Sequence, residues 1–276
     1  MWKLVGKHLF TYGRKGNMEK KEKAIIFFDI DGTLCEYEAV PTGKVREAFA
    51  KLHENGHVAF LCTGRGNPDI PKEIHELGFE GVISCMGAEI QIRGKKVRHA
   101  ALSEEELLES VRVLLEHKIA ALLLGAEEVL RTGYMKPVER ETGVIWKVED
   151  LFQNGVCAEI ASIDSEYADR AEYEDCRKVL EKHSEVIEYN AYTSQTQIRG
   201  VDKANAIREV LDRPEYQGLV SYAIGDSQND IPMFQAVDAG IAMGQAVESV
   251  KERAAYVTGT LEEEGVFHGL RHYKLI

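Results

Sequence analysis

Three apolar segments of the chain each end abruptly in a cluster of polar residues. They are Ala24–Phe28, Val58–Cys62 and residues 220–224. A continuous apolar run of this length is typical of a strand that is covered on both faces in a parallel sheet. Between the first two runs, apolar residues recur at helical spacing from Val45 to Leu52. The pattern predicts a β-α-β unit.

The central third of the chain has a different pattern. Residues 87–192 contain a period-2 hairpin signal around Arg93-Gly94 and a capping box at Ser103 to Glu106 ahead of an amphipathic helix. We therefore predict an α/β fold: a doubly wound parallel-sheet (Rossmann-like) core domain of residues 23–86 and 193–276, with an inserted α+β cap domain of residues 87–192. The predicted hinges of the cap are residues 86–87 and 192–195.

Residues 1–22 precede the predicted core and are rich in basic side chains without clear periodicity. We interpret them as an N-terminal extension. It is expected to be either a flexible tail or a translation artefact upstream of Met18.

Composition and charge narrow the possible partners. Of the 276 residues, 44% are hydrophobic and 29% are charged, which is ordinary globular composition. Lys and Arg total 34 against 46 Asp and Glu, so the formal net charge is -12, and nucleic acid and anionic membrane surfaces are disfavoured. The five cysteines are scattered in apolar runs, which favours reduced thiols and a cytoplasmic protein. No apolar stretch approaches the length of a membrane span, and the oligomeric state is left open.

The polar clusters at the strand ends contain several carboxylates. Asp29 and Asp31 follow the first apolar run, and Asp226 and Asp230 follow the last. Because the carboxyl ends of strands in an open α/β sheet meet in one crevice, these acids are expected to lie close together. Their mutual repulsion requires a hard cation, and carboxylate oxygens favour Mg²⁺.

Four further groups suit a phosphate held beside such a cation. Thr63 offers a hydroxyl, Gly64 a backbone N–H, Lys203 an ammonium group and Asn229 a side-chain amide. Each residue alone has an ordinary structural explanation, such as a helix cap or a turn. Together they predict phosphoryl transfer.

The strings FDIDGTL, TGR and GDSQND, together with Lys203, resemble the four motifs of the haloacid dehalogenase superfamily. The insert and the strings AMGQA and EGV resemble its Cof-type subgroup of sugar-phosphate phosphatases. The resemblance covers about residues 24–272 and implies Asp29 as nucleophile and Asp31 as general acid and base. It also implies that Mg²⁺ is bound by Asp29, the Asp31 main-chain carbonyl and Asp226. Phosphate binding is implied for Thr63, Gly64, Lys203 and Asn229. Asp230 is implied to lie behind the metal ligands.

Three positions depart from the pattern of the superfamily. Met86 and Gln245 stand where relatives often carry Asn, and Ala204 stands where Gly commonly follows the lysine. These departures bear on the substrate and not on the chemistry.

The predicted function is a Mg²⁺-dependent phosphatase that acts on a sugar phosphate or a similar phosphomonoester. A phosphomutase of the same superfamily stays open as an alternative, because it would use the same intermediate. A dehalogenase is disfavoured because it needs no proton donor such as Asp31. A phospho-acceptor signalling module is disfavoured because it needs no cap. The natural substrate is left open, and the cap residues Arg131, Tyr134 and Lys136 are candidates to contact it.

Overall fold

The computed structural model describes residues 23–37, 39–136, 142–153 and 155–276. The predicted N-terminal extension lies outside the described residues. The strands are, in chain order, β1 (Ala24–Phe28), β2 (Val58–Cys62), β3 (Gly81–Ser84), β4 (Glu89–Ile92), β5 (Lys95–His99), β6 (Ala120–Gly125), β7 (Val129–Thr132), β8 (Gly143–Ile145), β9 (Phe152–Gln153), β10 (Val156–Cys157), β11 (Ile160–Glu166), β12 (Ser184–Glu188), β13 (Thr193–Ile198), β14 (Val220–Gly225), β15 (Ala239–Ala242) and β16 (Tyr256–Val257). The α-helices are α1 (Gly43–Glu54), α2 (Lys72–His75), α3 (Glu104–Glu116), α4 (Arg170–His183), α5 (Lys203–Leu211), α6 (Ile231–Ala236), α7 (Glu248–Lys251) and α8 (Gly265–His272). None of these described helices is both long enough and apolar enough to cross a bilayer.

The larger sheet forms the core domain, with the strand order β16-β15-β14-β1-β2-β3-β4-β5. Neighbouring strands from β16 to β3 are parallel, and β4 and β5 add an antiparallel hairpin at one edge. Helices cover both faces: Ile26 and Phe28 pack with α1 and α8, whereas Ile25 and Phe27 pack with α5 and α6. Since every residue of β1 is buried, the continuous apolar run of this strand is explained. The predicted doubly wound α/β core is confirmed.

The smaller sheet forms the cap, with the order β12-β13-β11-β6-β7-β8. Its neighbours pair antiparallel except for β7 and β8. Helices α3 and α4 pack on this sheet and build a hydrophobic core of their own, which includes Leu107, Leu114 and Leu180. The predicted capping box is present at the start of α3, where Ser103 and Glu106 exchange hydrogen bonds. The inserted α+β cap is therefore a second packed unit.

The two sheets divide the chain at points that differ from the predicted boundaries of 87–192. The hairpin of β4 and β5 was assigned to the cap, but β4 pairs with β3 and extends the core sheet. β13 was assigned to the core, but it lies between β12 and β11 in the cap sheet. The chain crosses between the sheets at residues 100–103 and 199–202. The predicted hinges at 86–87 and 192–195 do not coincide with these crossings. Alternation of apolar and polar residues identifies a strand without specifying which sheet it joins.

Candidate active site

The carboxyl ends of β1, β2 and β14 meet at one edge of the core sheet and carry most of the predicted site residues. Asp29 follows β1, Thr63 follows β2 and Asp226 follows β14. Because β1 lies between the other two strands and runs parallel to them, the strand ends converge. They border a cavity of about 280 Å³, which Gly64 and Asn229 also line.

Lys203 is the buried cation of this site. It is the first residue of α5, whose N-terminus is capped by Asp202. Its side chain is fully buried, and Nζ donates hydrogen bonds to Asp29 Oδ1 and to Asp230 Oδ1, each at 2.7 Å. A weaker contact of 3.3 Å reaches Asn229 Oδ1. Burial opposes the charged form, but Asp230 and Asp29 outweigh it and hold the pKa of Lys203 well above its ordinary value.

Asp230 lies behind the cavity and is also fully buried. Its Oδ2 accepts hydrogen bonds from the backbone N–H groups of Asp226 at 3.0 Å and Ser227 at 3.1 Å. Gly225 gives this carboxylate its space, because a Cβ at position 225 would lie 2.5 Å from Asp230 Cγ. With both oxygens engaged by protein donors, Asp230 positions Asp226 and Lys203.

The surroundings of Asp29 and Asp226 disfavour the ionised form of both carboxylates. Burial, and then the neighbouring Asp230, raise the pKa of Asp29 well above its ordinary value despite Lys203. Burial and Asp230 likewise raise the pKa of Asp226 to about 7. A metal cation bound beside Asp29 and Asp226 would favour the ionised form of both groups.

The oxygen donors fit a hard divalent cation. One carboxylate oxygen from each of Asp29, Asp226 and Asp230 lies within 4.8 Å of the other two. Asp226 Oδ1 is buried, and the described part of the chain offers it no hydrogen-bond donor. Gly32, at φ +75°, lies against the same carboxylate, since a Cβ there would be 2.2 Å from Asp226 Oδ2. A site of oxygen ligands with one unpartnered buried oxygen is suited to Mg²⁺.

Asp31 is held by Arg65, a residue of the TGR motif to which the sequence assigned no role. Arg65 Nε donates to Asp31 Oδ2 at 2.8 Å, and Nη2 donates to Asp31 Oδ1 at 2.5 Å. The guanidinium group is itself fixed, because Nη1 donates to the Asp69 carbonyl at 3.1 Å and the group stacks on the Tyr37 ring at 4.9 Å. This bidentate pair sets the orientation of the Asp31 carboxylate, which lines the cavity.

The turn at Thr63 and Gly64 rests on Met86. The Met86 N–H donates to the Thr63 carbonyl at 3.2 Å, and a Cβ on Gly64 would lie 3.1 Å from Met86 Sδ. Thr63 Oγ1 accepts a hydrogen bond from the Arg65 N–H at 3.1 Å. Met86 therefore supports the turn and does not line the cavity.

The other two departures from the superfamily pattern also lie close to the site. Gln245 Nε2 donates to the carbonyl oxygen of Gly32, and its Oε1 accepts from the Leu261 N–H at 3.2 Å. Gln245 thus ties the loop after β1 to the C-terminal part of the core. Ala204 is buried in α5 next to Lys203.

Known proteins share both the sequence pattern and the fold. A family model described as "haloacid dehalogenase-like hydrolase" matches residues 26–270. The chain belongs to this family. The predicted superfamily is thereby confirmed.

Individual relatives of this haloacid dehalogenase-like hydrolase match along nearly their whole length. The 5-amino-6-(5-phospho-D-ribitylamino)uracil phosphatase YitU of Bacillus subtilis (strain 168) is 31% identical over 273 residues, which cover 90% of this chain and 97% of YitU. YkrA of the same organism is 25% identical over 266 residues, which cover 92% of this chain and 99% of YkrA. The solved structure of the phosphatase BT1666 from Bacteroides thetaiotaomicron has a TM-score of 0.78 at 26% identity and covers 96% of this chain and 100% of that chain. Since these matches include the insert, they agree with the predicted Cof-type subgroup.

In this haloacid dehalogenase-like hydrolase, the cap contributes a mainly uncharged surface to the cavity. Its side chains there are those of Leu122, Leu124, Asp164, Tyr189 and Gln195. Gln195 Nε2 donates to Asp164 Oδ1 at 2.7 Å, and Gln195 Oε1 accepts from the Tyr189 hydroxyl at 2.7 Å. Burial raises the pKa of Asp164 to about 7, although the hydrogen bond from Gln195 opposes the shift.

The sequence did not identify these cap residues. Of the candidates that it offered, Tyr134 and Lys136 line a different groove, and Arg131 donates to the Met135 carbonyl at 2.9 Å. The cavity residues come together through strand pairing, because Asp164 is the register partner of both Leu122 and Gln195. The only signal available in the sequence was the shared face of residues 122 and 124 on one strand.

Proposed function

We propose that this chain is a Mg²⁺-dependent phosphatase that hydrolyses small phosphomonoesters through an aspartyl-phosphate on Asp29. One observation carries the proposal. Lys203 holds Asp29 Oδ1, whereas the described residues offer no hydrogen-bond donor to Oδ2, so this oxygen is available as a nucleophile at the bottom of the cavity. The enzyme class has separate support, because the family is a hydrolase family and the relatives YitU and BT1666 are described as phosphatases.

The first step transfers the phosphoryl group to the protein. Asp29 Oδ2 attacks phosphorus, and the bond between phosphorus and the ester oxygen breaks. The Asp31 carboxyl group gives its proton to the departing alkoxide, and Arg65 keeps that carboxyl in one orientation. Thr63, Gly64, Lys203 and Asn229 would hold the other phosphate oxygens.

The second step releases phosphate. Asp31 takes a proton from a water molecule whose oxygen attacks phosphorus, and the bond from phosphorus to Asp29 Oδ2 breaks. The carboxylates of Asp29 and Asp226 and the main-chain carbonyl of Asp31 would hold Mg²⁺, with Asp230 behind them. When bound, the ion supplies positive charge that offsets the repulsion between these carboxylates and the phosphate.

The proposed substrate class is a small phosphorylated metabolite such as a sugar phosphate. The cavity of about 280 Å³ lies near the lower end of the range for small-molecule sites. The relative YitU is named for the phosphate ester of a ribitylamino-uracil, which is such a metabolite. We also propose a cytoplasmic location, because all five cysteines are free and a reducing compartment would keep them so.

Phosphate release from p-nitrophenyl phosphate and from a panel of hexose phosphates tests the proposal. We expect turnover with Mg²⁺, no turnover in EDTA, and recovery when Mg²⁺ is added in excess. Asp29→Asn should abolish turnover and leave the circular dichroism spectrum unchanged. Asp175→Asn, which alters an exposed cap carboxylate paired with Lys178, should retain the wild-type rate.

Two results would contradict the proposal: full turnover in EDTA, or an active Asp29→Asn variant. Analysis of the sugar products also separates hydrolysis from isomerisation. A phosphatase releases free phosphate much faster than it forms an isomeric ester, and the opposite ratio would identify a phosphomutase.

A further inference from the structure

Among the described residues of the cap, Asp164 is the one acidic side chain in the lining of the catalytic cavity. Within the described part of the chain, its side chain accepts a hydrogen bond from the uncharged amide of Gln195 and forms no ion pair. The other cap residues that line the cavity are two leucines, a tyrosine and a glutamine. The described residues on the cap side of the cavity therefore include a carboxylate and no cation.

The cations on the core side are already engaged. Lys203 is held between Asp29 and Asp230, and Arg65 is paired with Asp31. Asp164 is thus the cavity carboxylate for which neither the described residues nor the proposed Mg²⁺ supplies a counter-charge. The negative charges of Asp69 and Glu166 also act on Asp164 and help to raise its pKa, after burial as the main cause.

The position of Asp164 is fixed by the cap sheet. The residue lies in the centre of that sheet, on β11, and pairs in register with Leu122 on one side and Gln195 on the other. Gln195 in turn is held by the Tyr189 hydroxyl at 2.7 Å. This carboxylate is therefore held in place before a ligand binds, which is the condition for a side chain that discriminates between ligands.

We propose that Asp164 selects the leaving group by its charge. The cap side of the cavity takes an alcohol that presents hydrogen-bond donors, an ammonium group being the best, and it rejects an alcohol that carries a carboxylate or a second phosphate. A cationic donor forms a charge-assisted hydrogen bond with Asp164, whereas an anionic group meets a partly buried carboxylate that has no cationic partner among the described residues. This inference rests on the proposed phosphatase function, since it concerns the part of the substrate that leaves.

The test is run at pH 7.5, above the pKa of about 7 to which burial raises Asp164, so that most of this side chain is ionised. It compares three six-carbon esters whose leaving groups differ in charge: glucosamine 6-phosphate, glucose 6-phosphate and 6-phosphogluconate. We expect kcat/KM of the wild-type enzyme to fall in that order, with roughly tenfold or more between the first and the last, the scale of one charge-assisted hydrogen bond. Asp164→Asn keeps the size of the side chain and an acceptor for Gln195 but removes the charge. It should bring the three values of kcat/KM close together.

Two controls isolate the effect. Asp175→Asn removes an exposed charge from the same cap and should leave the order and the ratios unchanged. p-Nitrophenyl phosphate, whose leaving group has neither an ammonium group nor a carboxylate, is the reference ester. Dividing each kcat/KM by that for p-nitrophenyl phosphate in the same enzyme removes any general loss of activity in Asp164→Asn.

The outcomes separate this inference from the proposed function. Turnover without discrimination between the three esters, or discrimination that survives in Asp164→Asn, would overturn the inference alone. Absence of metal-dependent turnover on every ester, p-nitrophenyl phosphate included, would overturn the proposed function and the inference with it.

Discussion

Replacing Lys203 with methionine tests how the core holds two carboxylates side by side. The ammonium nitrogen of Lys203 is fully buried and lies 2.7 Å from both Asp29 Oδ1 and Asp230 Oδ1. Methionine is flexible and of similar length, so Lys203→Met removes the charge while the apolar part of the side chain remains. The variant therefore leaves both carboxylates buried without their shared partner.

Removing one partner from a buried ion pair typically costs about 3–5 kcal/mol, because the remaining charge is uncompensated. Protonation of the carboxylates limits this cost. Burial and Asp230 already raise the pKa of Asp29 in the folded protein, and loss of Lys203 raises it further. The folded state then binds more protons than the unfolded state, so its stability falls as the pH rises. We expect Lys203→Met to lower the free energy of unfolding by about 3–5 kcal/mol at pH 8, and by less at pH 6.

Urea unfolding in EDTA, followed by circular dichroism at pH 6 and pH 8, measures this difference. The matched control is Lys178→Met, which removes an exposed lysine paired with Asp175 on α4 and should leave the unfolding curve unchanged at both pH values. Wild-type stability of Lys203→Met at pH 8 would refute the reasoning. An equal loss at both pH values would also refute it, because lost packing does not depend on the protonation of carboxylates.

Two further substitutions test contacts that the sequence did not reveal. Gly32→Ala should raise the Mg²⁺ concentration needed for half-maximal activity, because the new Cβ would meet Asp226 Oδ2. The control is Gly94→Ala, because Gly94 has a similar positive φ and open space around it. This variant should cost only the backbone strain of about 1–2 kcal/mol and leave the Mg²⁺ requirement unchanged. If both variants needed the same Mg²⁺ concentration, the contact between Gly32 and Asp226 would be contradicted. Arg65→Gln should reduce kcat by roughly tenfold or more on a hexose phosphate, since a positioned acid or base contributes about 10²–10⁴. If Arg65 acts through Asp31, the double variant Arg65→Gln with Asp31→Asn should have the same kcat as Asp31→Asn alone. An additive loss of kcat in the double variant would show that Arg65 acts independently of Asp31.

The sequence predicted the core of this fold well because the relevant signals are local. The runs at 24–28 and 58–62 are strands with those bounds. Burial on both faces makes a central parallel strand apolar at every position, so its end is visible as the first polar residue.

The boundary between core and cap was predicted less well. The hairpin of β4 and β5 alternates like an isolated hairpin, yet it completes the core sheet beside β3. β13 follows β12 after a short turn and stays with it in the cap. The sheet that a strand joins depends on contacts with residues distant in the sequence. The alternation of apolar and polar residues within the strand does not specify those contacts.

By itself, the sequence determined which strand ends border the cavity from the core side. Asp29, Thr63 and Asp226 each follow a buried parallel strand. Because the carboxyl ends of adjacent parallel strands lie at the same edge of a sheet, these three residues come together there.

Only the tertiary structure decided how those residues are held and what faces them. The pairing of Arg65 with Asp31 joins two loops, and the meeting of Asp164 with Gln195 depends on the register of β11 and β13. The two contacts link residues that are 34 and 31 positions apart in the chain, respectively. Their geometry depends on packing over that separation, and no local periodicity of apolar and polar residues encodes it.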